Sequence, residues 1–544
     1  MNRNFSSLTN KQFDLLVCGG GIYGAWTAYD AALRGLSVAI VEQGDWASAT
    51  SSASSKLIHG GLRYLESLDF KLVKKALAER QMLLSAAPHR VWPLRFGVPV
   101  YEDSRIGTIQ LKAGLSMYDL LADHLSPDMA HHHFDKQAFA GRFPFLGGDG
   151  LKGGFTYGDA QTDDARLVLE LISGAMAAGA VCVNYCKLTG MIETDGRASG
   201  AMVQDVSCLP FDIANRLGRQ TTSAKSLVIR ANGTSEVRAK QIVNATGQWM
   251  AASEQAREWC QLDKGVHLVM PALPTDEALL LTAESDGRVF FMIPWYGMTL
   301  LGTTDANYSG DLDHIEVEQK EVAYLLAAAN HYLKTAWTEK DVVGSFAGLR
   351  VMKRSDKALP SSASRDWELK TASNGVHYSI GGKLTSARED AAHIVDAVCA
   401  QLGVNASCQT KGRKFPWLPE AEYSVWLAAA ATRAEELGID PESARWLIRR
   451  HGKRVGEIFC HIENNRRLAE RILPALPFIH ADLLFCARHE MAVHLDDLLR
   501  RRMPLLILAQ MDDSTLRRIA EMVATAMGWD EAAINREIET CRQR

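Results

Sequence analysis

The chain has 544 residues, 47% of them hydrophobic and 23% charged, with a formal net charge of −4. That length exceeds one ordinary hydrophobic core and points to two or three globular domains, and the composition excludes a disordered or fibrous chain. A mildly acidic balance gives no reason to expect nucleic acid as a partner. Ten cysteines are scattered without a C-x-x-C pair, Cys182 and Cys186 being the nearest two. Such spacing fits buried thiols in a reducing cytoplasm rather than a disulfide framework.

The opening, MNRNFSSLTNKQFD, lacks the apolar core of a secretory signal. FDLLVCGGGIYGAWTAYDAALRGLSVAIVEQGD then reads as a βαβ unit: a buried strand over Phe13–Cys18, a helix over Ile22–Leu33 closed by Arg34-Gly35, and a second strand over Ser37–Val41. Gly19, Gly21 and Gly24 spell G-x-G-x-x-G at the strand-to-helix turn. Gly19 suits the tight turn, Gly21 lets a pyrophosphate approach the backbone, and Gly24 lets helix and strand pack closely; the helix N-terminus offers free N–H groups to phosphate. Glu42 follows 18 positions after Gly24, where a carboxylate accepts hydrogen bonds from ribose hydroxyls. In this context the pattern signals a dinucleotide site.

From Ala49 to Phe70 the chain reads ATSSASSKLIHGGLRYLESLDF. The hydroxyl-rich start suits either a flexible tether or a cofactor-binding turn that aims His59 and Arg63 at a ligand. A helix is expected over Leu72–Leu84, stopped before Pro88. His131, His132 and His133 are adjacent, so they cannot converge on one ion, and a solvated surface loop is expected there.

Strand-like runs follow at AVCVNYCKL, SGAMVQDV, SLVIRA and AKQIVNATG, with a polar surface loop from Ser207 to Lys225. Further strands are expected at GVHLVMP, RVFFMIPW and MTLLGTTD, making a β-rich second layer. In KQIVNATGQW an apolar strand ends at Gly247, where backbone can pass close to a nucleotide. GGKLTSARED places paired glycines before a helix expected to start near Leu384, and a helix N-terminus there would favour an anionic reduced flavin. Arg350 and Arg365 suit bidentate grip on phosphate oxygens, or ordinary salt bridges.

A Pro-bearing link around RKFPWLPEAE opens a tail of helical pattern, with a boundary placed near residue 412. In that tail His489 and Glu490 read as helix-packing or capping residues. WLIRRHGKR and LLRRRMPLLIL join basic to apolar residues, as on a helix face resting on anionic lipid or as a solvated face. No run is long enough to cross a bilayer, and no G-x-S-x-G elbow or P-loop is present.

The stretch CGGGIYGAWTAYDAALRGLSVAIVEQGDWASATSSASSKLIHGGLRYLE resembles the opening of the FAD-dependent glycerol-3-phosphate dehydrogenases. GDAQTDDARLV, NATGQW, PWYGMTLLGTTDANY, GLRVM, GGKLTSAR and ARHEMAVHLDDLLRRR follow in that family's order, so the similarity spans nearly the whole chain.

The resemblance implies an α/β two-dinucleotide-fold (Rossmann-like) flavoprotein. Its FAD-binding part would take residues 1–95, 150–265 and 345–411, with a β-rich substrate-binding insertion at 96–149 and 266–344 and a helical domain at 412–544. It further implies that Thr50, Ser51, Ser55, Gly247, Gly382, Lys383, Leu384 and Thr385 contact FAD. His59, Arg63 and Tyr64 would face the active site, and Arg350 and Arg365 would hold the substrate phosphate. The implied reaction oxidises sn-glycerol 3-phosphate, a small phosphorylated polyol, to dihydroxyacetone phosphate, with His59 accepting the hydroxyl proton and Arg63 and Lys383 stabilising negative charge.

Electrons would pass to a membrane quinone, from a cytoplasmic protein touching the inner membrane face through its tail and acting as a homodimer. VMKRSDKALPSSASRDW and LDKGVHLVMP, around His267, depart from the family pattern and bear on substrate preference. Alternatives are an oxidase that uses oxygen, an amino-acid oxidase with one carboxylate-binding arginine, and a flavin-bearing sensor or assembly protein without turnover.

Overall fold

The computed structural model describes residues 1–9, 11–66, 68–122, 126–208, 232–354 and 366–542. Strand β1 (Gln12–Cys18) is apolar and buried from Leu15 to Cys18, where it is covered on both faces. Leu15 and Val17 pack into one core with helix α1 (Ile22–Leu33), and Leu16 and Cys18 pack into another on the opposite side. Parallel pairing joins β1 to β2 (Val38–Val41) and to the strand Asn232–Asn244. Val181–Val183 and His377–Ile380 extend the parallel array, Glu368–Thr371 closes one edge, and the hairpin Cys186–Asp205 pairs onto Asn232–Asn244.

A second, ten-stranded and mainly antiparallel sheet takes its strands from Leu57–Ile58 through Gly344–Lys353. Its backbone is two long pairings. Val91–Tyr101 runs against Leu151–Thr162, and Cys260–Met270 against Gly344–Lys353. This is an α/β fold in which the largely parallel sheet carries a second, β-rich layer and a helical tail. Helix α2 (Phe70–Ala86) is longer than expected at both ends, and α3 (Thr108–Leu121) is an element the sequence pattern did not announce. Two of the three histidines, His132 and His133, are exposed as expected but lie in a strand rather than a loop. His132–Asp135 forms a strand against Leu151–Thr162, with His131 Nδ1 2.6 Å from an Asp119 carboxylate oxygen. The run SLVIRA and most of the expected Ser207–Lys225 loop lie outside the described residues. Seven cysteines are buried, Cys408 is half-buried, and Cys208 and Cys460 are exposed.

After the helix Ala387–Leu402 the chain is helical from Tyr423 to Arg542. Trp446, Leu483, Leu499 and Met503 enter the same core as Leu94, Phe96 and Trp295 of the second sheet. In the tail's two basic stretches Arg450, His451, Arg501 and Arg502 are buried, Arg449, Arg454 and Arg500 half-buried, and Lys453 exposed. Arg501 Nε donates to Asp45 at 2.6 Å, Arg502 Nη2 to Asp45 at 2.9 Å, and Arg501 Nη2 to Asp497 at 2.7 Å. Arg450 and His451 share Asp482, the latter at 2.6 Å. LLRRRMPLLIL is therefore neither a solvated face nor a lipid-facing one: a charged group this buried is tolerable only with a partner, and Asp45 of the nucleotide half is that partner. Glu490 holds Arg166 at 2.8 Å and Arg454 at 3.0 Å, an ion-pair role beyond capping. Among the described residues no helix is long and apolar enough to cross a membrane.

Candidate active site

The chain leaves β1 through Gly19 at φ 110°, where a Cβ would come within 2.5 Å of the Ala245 carbonyl oxygen. Gly24 is tighter still, since a Cβ would lie 1.8 Å from the Gly19 carbonyl oxygen. These contacts bring α1 hard against the strand and leave Gly21 as its N-cap. Ser51 Oγ accepts the Ile22 N–H at 2.9 Å, capping the helix from the hydroxyl-rich stretch. Glu42 accepts the N–H groups of Gly20 at 2.6 Å and of Gly44 at 2.8 Å. Burial pushes its carboxyl pKa up against the pull of those two amides. The expected ribose ligand is thus first a brace of the glycine loop, each oxygen retaining a second lone pair.

The stretch from Ala49 onward is no tether. Thr50 Oγ1 donates to the Leu349 carbonyl at 2.5 Å, Ser55 Oγ lies 2.8 Å from His267 Nε2, and Lys56 Nζ donates to Asp164 at 2.7 Å. Thr50, Ser51 and Ser55, expected to face phosphate or flavin, each hold a protein partner while lining the cavity. Beyond them, the His59 N–H donates to Thr385 Oγ1 at 3.2 Å, and the His59 ring stands edge-on to Phe291, centroids 6.4 Å apart.

Two cations converge on one phenol. Lys383 Nζ sits 3.8 Å from the centre of the Tyr64 ring, the Arg63 guanidinium carbon 5.1 Å from it, and Arg63 Nη2 donates to the Tyr64 hydroxyl at 3.3 Å. Lys383 is held there by its backbone, whose N–H donates to Tyr23 Oη at 3.0 Å; Tyr23 in turn donates to Asp390 at 2.8 Å. Gly382, at φ 95°, makes room, because a Cβ there would strike Tyr23 Oη at 1.7 Å. Leu384 and Thr385 belong to a turn, and the helix begins at Ala387, three residues later than expected. Gly247 opens a 3-10 turn over Gly247–Ala252.

Arg350 stands on the second sheet opposite Asp263. Its Nη1 lies 3.1 Å from an Asp263 oxygen and 3.7 Å from Asp305, and its Nη2 donates to Thr303 Oγ1 at 2.9 Å. Gly265 clears the space, since a Cβ would meet Arg350 Nη2 at 2.4 Å. Arg365 lies outside the described residues. His267 was not singled out as a site residue, although a histidine inside an apolar strand, in Lys-Gly-x-His, was the available signal. It is buried, and its Nδ1 has no hydrogen-bond partner among the described residues. Burial, then the charges of Arg350 and Lys56, hold its pKa well below the ordinary value, so the ring is neutral.

Gly19, Gly21, Glu42, Gly247, His59, Arg63, Tyr64, His267, Arg350 and Lys383 all line one cavity of about 1630 Å³. Ordinary ligand pockets occupy roughly 300–1,000 Å³, so there is room here for a dinucleotide and a small substrate together. The side-chain-free loop at Gly19–Gly21, the turn at Gly382 and the unpartnered His267 Nδ1 fit a flavin dinucleotide with a polar ligand beside it. Fold and cavity together define an FAD-dependent oxidoreductase. The family described as FAD dependent oxidoreductase matches residues 14–388, and the C-terminal domain of alpha-glycerophosphate oxidase matches residues 413–534.

A glycerol-3-phosphate dehydrogenase of Synechocystis is 34% identical over 99% of this chain and 97% of its own. The aerobic glycerol-3-phosphate dehydrogenase of Bacillus subtilis is 32% identical over 99% of this chain and 97% of its own. The crystal structure of the Bacillus halodurans glycerol-3-phosphate dehydrogenase complexed with FAD superposes with a TM-score of 0.76, at 28% identity, over 99% of this chain and 95% of that one. The chain belongs to the glycerol-3-phosphate dehydrogenase family.

Proposed function

We propose that the protein oxidises sn-glycerol 3-phosphate to dihydroxyacetone phosphate and hands the electrons to a quinone. The observation that carries this reading is the placement of Arg350, the Arg63–Tyr64–Lys383 cluster and the glycine loop on one cavity. Bound FAD supplies the hydride acceptor. Arg350 grips the substrate phosphate, its fork held in one plane by Asp263 and Thr303. Arg63 and Lys383, gathered over Tyr64, stabilise negative charge that develops on the C2 oxygen and on the ring system beside it. His59 takes the C2 hydroxyl proton.

A second candidate for that proton is His267, favoured by its unpartnered Nδ1 and its neutral state beside Arg350. The division of the chain into a flavin part, a substrate insertion and a helical tail beginning near residue 412 belongs to this same reading, as do a homodimer and contact with the inner membrane face.

Anaerobic mixing with glycerol 3-phosphate should bleach the flavin absorbance, and persistent oxidised flavin would overturn the substrate assignment. His59→Gln and His267→Gln, compared in that assay, assign the proton: the true acceptor's loss slows flavin reduction by about 10²–10⁴-fold, and the other's does not. Hydrogen peroxide formed in air faster than a quinone analogue is reduced would mean an oxidase instead.

A further inference from the structure

A second cavity, of about 440 Å³, lies where the helical tail meets the rest of the chain. The end of α2 supplies Leu84, the strand Val91–Tyr101 supplies Trp92, and the turn Pro127–Met129 supplies Met129. The tail closes it with Tyr423 and Leu427 of the helix Tyr423–Glu436 and with Arg445 and Arg449 of the helix Pro441–His451. Its volume falls within the roughly 300–1,000 Å³ of ordinary ligand pockets, and it shares no lining residue with the active-site cavity.

The charge in this cavity is one-sided. Arg445 and Arg449 stand four residues apart, on one face of their helix, and among the described residues no Asp or Glu lines the cavity. Arg445 is exposed, whereas Arg449 is half-buried. The Arg449 guanidinium carbon lies 4.3 Å from the centre of the Trp92 ring and 5.3 Å from that of Trp446. Aromatic faces hold the cation in place but neutralise none of its charge.

Arg449 breaks the pattern that the rest of the tail obeys. Every other buried or half-buried arginine described there holds a carboxylate: Arg450 has Asp482, Arg454 has Glu490, Arg471 has Asp440, Arg500 has Asp496, Arg501 and Arg502 share Asp45, and Arg517 has Glu531. Arg449 has neither an ion pair nor a hydrogen bond among the described residues. Burial, joined by the charge of Arg445, pulls its pKa down to about 10 against the phenols of Tyr423 and Tyr296. A cation drawn out of water without a counter-charge carries a desolvation cost that a bound anion offsets. The planar guanidinium fork accepts both oxygens of a carboxylate. With only Arg449 withdrawn from solvent, one negative charge balances the interior, and walls of Leu84, Trp92, Met129 and Leu427 suit an apolar body behind it.

We propose that this cavity binds a small organic monocarboxylate, its carboxylate on the Arg449 and Arg445 guanidiniums and its apolar body against Trp92 and Leu427, bridging the tail and α2. The site is separate from the proposed reaction and stands whether or not that reading holds. The test is titration calorimetry of the whole FAD-loaded protein with phenylacetate and with octanoate, beside acetate as the head group alone and benzyl alcohol as the body alone. Phenylacetate or octanoate should bind saturably and about tenfold or more tighter than acetate or benzyl alcohol. Arg449→Gln should weaken that binding by about tenfold. Leu427→Trp, which keeps both arginines and fills the cavity, should weaken it as much, and Arg350→Gln, in the other cavity, should leave it unchanged. The absorbance of bound FAD checks that each variant folds.

No saturable binding of either carboxylate would overturn the proposal, as would an affinity equal to that of acetate or of benzyl alcohol. So would equal binding by the parent, Arg449→Gln and Leu427→Trp. Binding lost with Arg350→Gln and kept with Arg449→Gln would overturn it as well, because the carboxylate would then sit in the active-site cavity.

Discussion

LLRRRMPLLIL in the tail and TIQLKAGLSMYDLL in α3 invite opposite guesses about their surroundings. The first carries three consecutive arginines beside a leucine run, as a lipid-facing segment does, yet Leu499, Arg502 and Met503 are fully buried. The second has the mild composition of an ordinary surface helix, yet leaves Ile109 and Leu120 in solvent. What separates them is the partner supplied from elsewhere in the chain. Asp45 and Asp497 neutralise the tail's arginines and let the segment go inside, whereas nothing among the described residues covers the outer face of α3. Composition sets the chemistry a segment needs around it; the distant chain decides whether protein or solvent supplies it.

The largest effect should come from removing the tail's partner. Asp45→Ala strands Arg501 and Arg502 without their shared carboxylate and should cost about 3–5 kcal/mol, read by urea denaturation; a loss under about 1 kcal/mol would show that other groups neutralise them. One step smaller is a matched pair of leucine truncations. Leu499→Ala should cost about 2–5 kcal/mol, and Leu120→Ala should stay within about 0.5 kcal/mol; equal costs would erase the contrast between the two segments.

The smallest is a pH effect confined to the tail. Burial alone would lower the His494 pKa, but the hydrogen bond and charge of Glu537, with the charges of Asp497 and Asp496, outweigh it and raise the net value. A raised folded-state pKa contributes stability that is fully present below the unfolded value, about 6.5, and is lost as pH rises through the folded one. As pH rises above about 6.5, the melting temperature should therefore fall by more in the parent than in His494→Gln. An identical fall in both would remove His494 from the account.

The βαβ opening was legible almost to the residue, because glycine punctuation and a two-sided apolar strand are local signals. Val91–Tyr101 and Leu151–Thr162 were not, since Pro93, Pro99, Gly153 and Gly154 break the strand pattern while the pairing of eleven registered positions restores it. Helix α3 escaped notice because apolar residues on both faces cancel the amphipathic period. At the site, residue types were legible and partners were not. Glu42 announced a carboxylate at the right distance from the glycines, but only the folded chain joins it to Gly20 and Gly44. His267 lies 212 positions from Ser55, and no spacing rule joins them.

The Tyr23 hydroxyl, on the first turn of α1, touches both the Lys383 N–H and Asp390, and Asp390 also holds Lys75 of α2 at 2.7 Å. One phenol thus clasps α1 to the Lys383 turn and to Asp390, and Asp390 carries the tie on to α2, joining three elements from different stretches of the chain. None of the three can swing outward alone without releasing it, so entry and exit of a tightly held cofactor would require all of them to loosen in concert.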